Sequence, residues 1–487
     1  MRLIDLLGGD ANAVIGNAAI AEIDVTGLTC DSRNVAPGFL FAALPGTRAD
    51  GRAFVPDALR KGAVAVLVPK GAGVERGVHV LIENENPRRA YALMASRFYG
   101  RQPEFVAAVT GTNGKTSTVT FARRIWTRLG RAAASAGTLG VVAPKTNIPG
   151  SLTTPDPTDL HRTLKNLADE GVTHLAMEAS SHGLDQYRLD GVKVRAAAFT
   201  NLTRDHLDYH GTTESYLAAK RRLFEDVLAV DGVAVVNTGA PFGDAIEAAC
   251  RKRKIRVLGY GARGADIRLD AARPTDDGQR LTLTVLGRAY EVPLPLHGAF
   301  QAENALCALG LAIASGEDAV AAVAALEALE GVPGRVQRVG VHPNGAPIFV
   351  DYAHTPDALA TVLRALRPHA RGRLHVVFGC GGDRDPGKRP AMARIAGELA
   401  DVVIVTDDNP RNEDPADIRR QVLAGYPEAS EIGDRAEAIL AAVRALAPDD
   451  LLVIAGKGHE RGQIVKDEIR PFDDAEVARA AIREVGR

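Results

Sequence analysis

The sequence is poor in the features that would mark a secreted, membrane-bound or nucleic-acid-binding chain. Its four cysteines, Cys30, Cys250, Cys307 and Cys380, lie far apart in 487 residues. That leaves neither a disulfide framework nor a C-x-x-C metal or redox spacing, and reduced thiols are expected, as in a cytosolic protein. Lys and Arg number 59 against 60 Asp and Glu, for a formal net charge of −1. There is thus no basic excess to hold nucleic acid or an anionic membrane surface. The one basic cluster, Arg251-Lys252-Arg253-Lys254, reads as a solvated helix end. No apolar run approaches the roughly 20 residues of a membrane span. Met1 to Asp10 shows no basic segment followed by a long apolar one, so no signal peptide is expected. The expectation is a cytoplasmic protein without membrane insertion.

What is present is a large apolar inventory, 46% of residues with 24% charged, in a chain too long for one core; two to four domains are expected. One stretch organises the rest. Phe105-Val106-Ala107-Ala108-Val109 reads as a buried strand and is followed by Thr110-Gly111-Thr112-Asn113-Gly114-Lys115-Thr116-Ser117. Apolar residues then recur at helical spacing from Thr118 to Leu129. Strand, glycine turn, Lys-Thr and helix form a phosphate-binding loop, in which backbone N–H groups at a helix N-terminus cradle an anion. Lys115 is expected to reach the β/γ-phosphates and the Thr116 hydroxyl to sit on Mg²⁺. The spacing departs from G-x-x-x-x-G-K-[ST]: Val109 stands where the first glycine belongs, and Gly111 comes two residues late.

Residues 1–102 mix short apolar runs with helical patterns and predict a small α/β domain with polar loops at Cys30-Asp31-Ser32-Arg33 and Gly46 to Gly51. Residues 103–331 alternate strands with helices, which predicts a mostly parallel sheet covered on both faces. The expected strand 173–177 ends at Glu178, and 195–200 leads into Asn201 to Asp208 with His206 among them. Ligands gather at the carboxyl ends of such strands, so the phosphate loop, Glu178 and His206 are expected to converge. Residues 332–487 restart the pattern as a Rossmann-like unit. Its strands run into Asp351-Tyr352-Ala353-His354, Gly379 to Asp385, Asp407-Asp408-Asn409-Pro410-Arg411 and Gly456-Lys457-Gly458-His459-Glu460.

Glu178 and His206 are available ligands for a divalent cation beside the phosphates. Asp408, Asn409 and Arg411 suit a small zwitterion, with Arg411 paired to a carboxylate and Asp408 and Glu460 holding an ammonium. Asp-Asn-Pro also serves as a turn before the helix expected near Pro415. A central ATP domain beside ligand domains suits the joining of a carboxylate to an amine through an acyl phosphate, largely by positioning and charge neutralisation.

These residues resemble the Mur ligases, whose phosphate loop shares the late glycine. The resemblance runs through Leu152 to Pro157, Met177 to Leu184, Asn201 to Gly211, His297 to Asn304, Asp351 to Asp357 and Gly456 to Glu460, in order over nearly the whole chain. It implies three domains and an ATP-dependent ligase of peptidoglycan synthesis that extends UDP-N-acetylmuramoyl-L-alanyl-D-glutamate by one amino acid. By motif, Gly111, Thr112, Asn113, Gly114, Lys115, Thr116 and Ser117 would hold the ATP phosphates, and Asn304, Arg335 and Asp351 its nucleoside. Cys30, Ser32, Thr47, Arg48 and Ala49 would take the UDP end of the other substrate. Thr153, Thr154, Ser180, Gln186 and Arg188 would take its muramoyl-peptide part. Thr116, Glu178, His206 and Lys220 would serve Mg²⁺, Lys220 as a CO₂-derived carbamate; Lys115, Glu178, His206 and Lys220 would carry catalysis. All implied partners are small molecules, and the chain is expected to act as a monomer.

The resemblance also bears on the amino acid. Members with Asp-Asn-Pro-Arg add meso-diaminopimelate, and lysine-adding members lack the Arg. Asp408, Asn409, Pro410 and Arg411 are intact here, with Arg384, Gly456 and Glu460 in matching positions. Diaminopimelate is expected, since Arg411 complements its extra carboxylate. A lysine-adding synthetase is disfavoured by Arg411, and a folylpolyglutamate synthase by the N-terminal domain. A nucleotide-binding protein that has lost the reaction is disfavoured by the presence of Lys115, Glu178, His206 and Lys220.

Overall fold

A computed structural model describes residues 1–8, 13–15, 22–46, 49–72, 80–150, 152–203 and 205–486. The chain divides into two compact units, 1–267 with 307–322, and 268–306 with 323–487. The expected boundary near residue 102 falls inside the first unit. Helix Pro87–Tyr99 carries the reason: Tyr91 bonds Thr158, Ser96 Oγ donates to the Gly191 carbonyl at 2.8 Å, and Arg89 pairs with Asp190. These polar contacts tie the first hundred residues to the segment that follows.

The first unit holds a small sheet in the order Ala13–Ile15, Leu81–Asn84, Ala65–Pro69, Phe39–Ala42, Gly27–Thr29, parallel except for its Ala13–Ile15 edge. A larger parallel sheet has Phe105–Thr110 at its centre. His174–Glu178 and Val194–Phe199 flank that strand, with Val233–Asn237 and Arg256–Gly261 beyond one side and Ala133–Gly137 beyond the other. These are short Val- and Ala-rich runs buried on both faces, as parallel strands must be. One core packs Leu160, Leu164, Leu175, Phe199 and Phe224 against this sheet. Register sets where the loops emerge. Glu178 lies opposite Val109, and Phe199 opposite Thr110, so three strands deliver their following loops to one edge.

The helix after the phosphate loop spans Lys115–Arg128, three residues earlier than its apolar spacing predicts. Those residues are Lys115, Thr116 and Ser117, whose helical role lies in N–H groups at the helix start rather than in apolar burial. The basic cluster ends helix Gly243–Lys252, as expected.

The second unit contains the hairpin Gly278–Val285 with Arg288–Leu294 and a six-stranded sheet. Its order is Gln337–Val341, Pro347–Asp351, Leu451–Ala455, Leu374–Phe378, Val402–Val405, Ser430–Glu431, parallel except for the first strand. A short hairpin, Gly462–Val465 with Glu468–Pro471, follows the Leu451–Ala455 strand. Among the described residues no helix is long and apolar enough to cross a membrane, and all four cysteines are free.

Candidate active site

The phosphate loop is shaped by two glycines and gripped from the neighbouring strand. Gly111 has φ +150°, and a Cβ there would collide with Thr200 Oγ1. Gly114 has φ +87° and stands at the helix N-cap. Both conformations favour glycine. Thr200 Oγ1 donates to the Asn113 carbonyl at 2.6 Å. Thr112 N donates to Asn201 O at 2.9 Å, and Asn113 N to Asn201 Oδ1 at 3.0 Å. Lys115 Nζ folds back onto the Gly111 and Thr112 carbonyls, 2.8 Å from each. Thr116 and Ser117 are buried in the first helical turn.

Lys220 comes to the same point from helix Thr213–Arg222, and Nζ donates to Gly111 O at 2.8 Å. Its side chain is 1% exposed and its ammonium lies 4.4 Å from the Tyr216 ring centre. Burial, reinforced by the charge of Lys115, holds the Lys220 pKa well below the usual lysine range. Glu178, also 1% exposed, accepts from Thr138 N at 2.8 Å and Thr138 Oγ1 at 3.2 Å. Gly137 is required beside it, because a Cβ there would strike the Glu178 carboxylate. His206 adopts φ +51° next to the loop's partner Thr203 and is half-exposed, its ring 5.0 Å from that of His182 and 6.1 Å from that of Tyr216.

Glu178 and Thr116 offer oxygens, the donor type Mg²⁺ prefers, and Mg²⁺ commonly takes one or two carboxylates plus substrate phosphates. Among the described residues no three His, Cys, Asp or Glu side chains gather to hold a metal. The donor set therefore fits a cation completed by phosphate oxygens and water, not one caged by protein alone.

Glu178 also joins the region expected to take the muramoyl peptide. Thr138 Oγ1 bonds Thr153 Oγ1 at 3.1 Å, and Thr154 Oγ1 donates to the Glu178 carbonyl at 3.1 Å. Ser180 caps its helix through Gly183 N and donates Oγ–H to Thr154 Oγ1 at 3.1 Å. Arg188 donates to Thr154 O at 2.6 Å and to Gln186 Oε1 at 2.7 Å. Thr153, Thr154, Ser180, Gln186 and Arg188 are thus one connected set. A cavity of about 660 Å³ is lined by Gln186 and Arg188 together with Cys30, Ser32, Ala49 and Arg88. Of the residues expected at the UDP end, Thr47 and Arg48 lie outside the described residues.

The other expected residues belong to the second unit. Asn304 Nδ2 donates to Gln301 Oε1, and Gln301 Nε2 to the Arg335 carbonyl at 2.8 Å. Asp351 accepts from Val336 N and Ala353 N at 2.7 and 2.8 Å; burial pushes its pKa up to about 6 against the pull of Arg335. The Arg335 guanidinium stacks over Tyr352, 4.9 Å from the ring centre.

The Asp408–Arg411 loop is held by the hairpin. Arg411, at φ +52°, donates its N–H to Ile464 O at 3.0 Å and accepts from Lys466 N at 2.7 Å. Its guanidinium donates to Gly382 O at 2.8 Å, while Arg384 donates to its neighbour's carbonyl, Asp383 O. Gln463 Nε2 donates to Asp408 O at 2.8 Å. Asn409 Nδ2 donates to Glu460 Oε2 at 2.9 Å, and a Cβ at Gly456, φ +113°, would crowd Asp408 Oδ2. Beneath both loops lies a pair absent from the sequence expectation. Arg435 and Asp474 are fully buried, joined by two 2.7 Å bonds. The same guanidinium donates to Ala455 O and Asp407 O, which immediately precede the two loops. No local signal marks either residue, because they sit 39 positions apart at the starts of two ordinary helices.

Comparison with known proteins places this architecture. Three family models match in order: Mur ligase family, catalytic domain, at residues 24–110; Mur ligase middle domain at 109–312; and Mur ligase, glutamate ligase domain, at 334–458. A UDP-N-acetylmuramoyl-L-alanyl-D-glutamate–2,6-diaminopimelate ligase of Bradyrhizobium diazoefficiens is 54% identical, with 99% of each chain covered. One of the same name from Caulobacter vibrioides is 53% identical over 92% of this chain and 94% of its own. A solved structure of a ligase with that name superposes with a TM-score of 0.74 at 34% identity, covering 100% of this chain and 99% of its own. MurF from Acinetobacter baumannii, at 19% identity and a TM-score of 0.62, shares the fold over 94% of both chains. The shared order of domains, the late-glycine loop and this identity along the whole length establish that the chain belongs to the Mur ligase family.

Proposed function

We propose that this chain is an ATP-dependent ligase that joins the amine of meso-2,6-diaminopimelate to a carboxylate of UDP-N-acetylmuramoyl-L-alanyl-D-glutamate, in three domains bounded near residues 102 and 331. The observation that carries it is the meeting at Gly111. Two lysine side chains, Lys115 and Lys220, converge on its carbonyl at the sheet edge that also bears Glu178. Lys115 at this edge neutralises phosphate and developing negative charge. The γ-phosphoryl of ATP passes to the substrate carboxylate, ADP leaves, and the amine attacks the acyl phosphate with loss of a proton and then of phosphate. Lys115 stabilises the transferring group, and Glu178 and Thr116 would hold Mg²⁺, whose contribution there would be to neutralise phosphate charge. The connected set from Thr153 to Arg188 orients the peptide carboxylate.

Lys220 works as a carbamate in this reading. Its burial beside Lys115 favours the neutral amine. That amine forms an N–C bond to CO₂ and loses a proton, replacing a cation that repels Mg²⁺ with an anionic oxygen ligand. Asn304, Arg335 and Asp351 hold the nucleoside. Arg384, Asp408 to Arg411, Gly456 and Glu460 hold the amino acid, with Arg411 on its distal carboxylate. The test is phosphate release with ATP, Mg²⁺ and the UDP-muramoyl dipeptide, comparing meso-diaminopimelate with L-lysine. Release with diaminopimelate alone, and a tripeptide product by mass, is expected. Preference for lysine overturns the Arg411 role, and release with neither overturns the ligase reading.

A further inference from the structure

Lys457 is the charged member of the Gly456 to Glu460 loop to which no role has been given. It is 0% exposed. Nζ makes three hydrogen bonds: to Asn409 Oδ1 at 2.9 Å, to Glu460 Oε2 at 3.2 Å and to Gly462 O at 2.7 Å. An ammonium has three protons and no lone pair, so Lys457 spends its whole donor capacity here and accepts nothing. Ile464 N–H also donates to Asn409 Oδ1, at 3.0 Å. Two obligate donors on one atom settle which way the Asn409 amide faces: the oxygen toward Lys457, the NH₂ outward to Glu460 Oε2. Without Lys457 the amide loses its charged anchor, and the reversed orientation, with its oxygen against the Glu460 carboxylate, is no longer excluded by a cation.

Glu460 receives the same treatment. Its Oε2 accepts from both Lys457 and Asn409, which leaves Oε1 as the oxygen free of these bonds. A buried cation thus pins one carboxylate oxygen and leaves its twin for an incoming ammonium. We infer that Lys457 is a positioning residue of the amino-acid site: it sets the Asn409 amide orientation and directs one Glu460 oxygen toward the amino acid's ammonium group. The inference deepens the proposed ligase reading and rests on it. It concerns binding of the amine substrate, not phosphoryl transfer.

The experiment is steady-state kinetics of the full chain as wild type, Lys457→Met, Asn409→Ala and the double variant. KM is measured separately for meso-diaminopimelate, ATP and the UDP-muramoyl dipeptide, with thermal unfolding as a fold control. Lys457→Met fills the same volume, and Glu460, with its side chain one-third exposed, can draw on water. The expected result is a KM for diaminopimelate raised about tenfold or more, the scale of one charge-assisted hydrogen bond. The other two KM values stay within about twofold. In the Asn409→Ala background the Lys457→Met effect shrinks to about threefold or less, since the amide it orients is gone. Equal loss for all three substrates, or full additivity with Asn409→Ala, overturns the inference and leaves Lys457 a structural cation. Should Lys457→Met not fold, Lys457→Gln, which keeps an uncharged NH₂ donor group, is read by the same criteria. Wild-type protein that turns over no diaminopimelate overturns the functional reading itself, and is told apart by that arm alone.

Discussion

The phosphate loop and the Asp408–Arg411 loop both follow parallel strands, yet they are built from different materials. The first is a backbone device. Its shape depends on Gly111 and Gly114, its grip comes from Thr200 and Asn201 on main-chain atoms, and its two lysines rest on carbonyls. The second is a side-chain device. Asn409, Lys457, Glu460 and Gln463 interlock across some fifty positions, over the buried Arg435–Asp474 pair. Under the ligase function proposed above, the contrast follows: phosphate is the same in every nucleotide and suits a loop of fixed backbone, whereas an amino acid must be told from its relatives, which takes side chains.

That contrast can be broken at either end. The largest expected effect is Lys115→Met, which removes the loop's transferable charge and should lower kcat/KM about a thousandfold without unfolding the chain, by phosphate release. Gly111→Ala follows: its Cβ meets Thr200 and its φ disfavours a side chain, and displacement of the loop should cost about a hundredfold in the same assay. In the second loop, Arg411→Ala should weaken diaminopimelate by roughly 2–5 kcal/mol, about thirtyfold or more. Discrimination against lysine should fall with it while the KM for ATP holds; unchanged discrimination would remove Arg411 from the specificity role.

The smallest effect lies at the opposite edge of the second sheet. Asp450 accepts from Ala447 N, Arg373 N and His375 Nε2. Burial pushes its carboxyl up, but these bonds outweigh that and hold it at about 2, below the ordinary 3.8. A depressed carboxyl contributes stability that is complete above about pH 4 and is lost as pH falls through about 2. Its contribution at neutral pH is about 2 kcal/mol. Asp450→Asn should lose that amount at pH 7 and flatten the acid limb of a denaturant-unfolding series, leaving turnover at neutral pH nearly unchanged.

The same contrast explains what could be read in advance. Strand-loop-helix order around Gly111 is local, so the loop, its strand and the delivery of Glu178 by a neighbouring strand were legible from periodicity and topology. Leu374–Phe378 and Leu451–Ala455 end directly before the loops at Gly379 and Gly456 into which the sequence has them run, because a strand buried on both faces leaves a largely apolar run. Lys220 had no such signature: on a helix it resembles any surface lysine, and only its family resemblance singled it out. Its burial against Gly111, 109 positions away, is a fact of folding. Thr138 on Glu178, Lys457 on Asn409 and Arg435 on Asp474 escaped notice for that reason. Each is a long-range pairing of common residues, and spacing along the chain carries no trace of it.

The order of the second sheet has a consequence for synthesis. Leu451–Ala455 lies between Pro347–Asp351 and Leu374–Phe378, strands made some eighty to a hundred residues earlier. Arg435, in turn, stays an unneutralised cation until Asp474 exists. A ribosome adding about 5–20 residues per second therefore holds out a sheet with its middle strand missing for several seconds. The unit closes only after Asp474 has been made, so helix Asp474–Val485 is a condition of its folding and not an appendage to it.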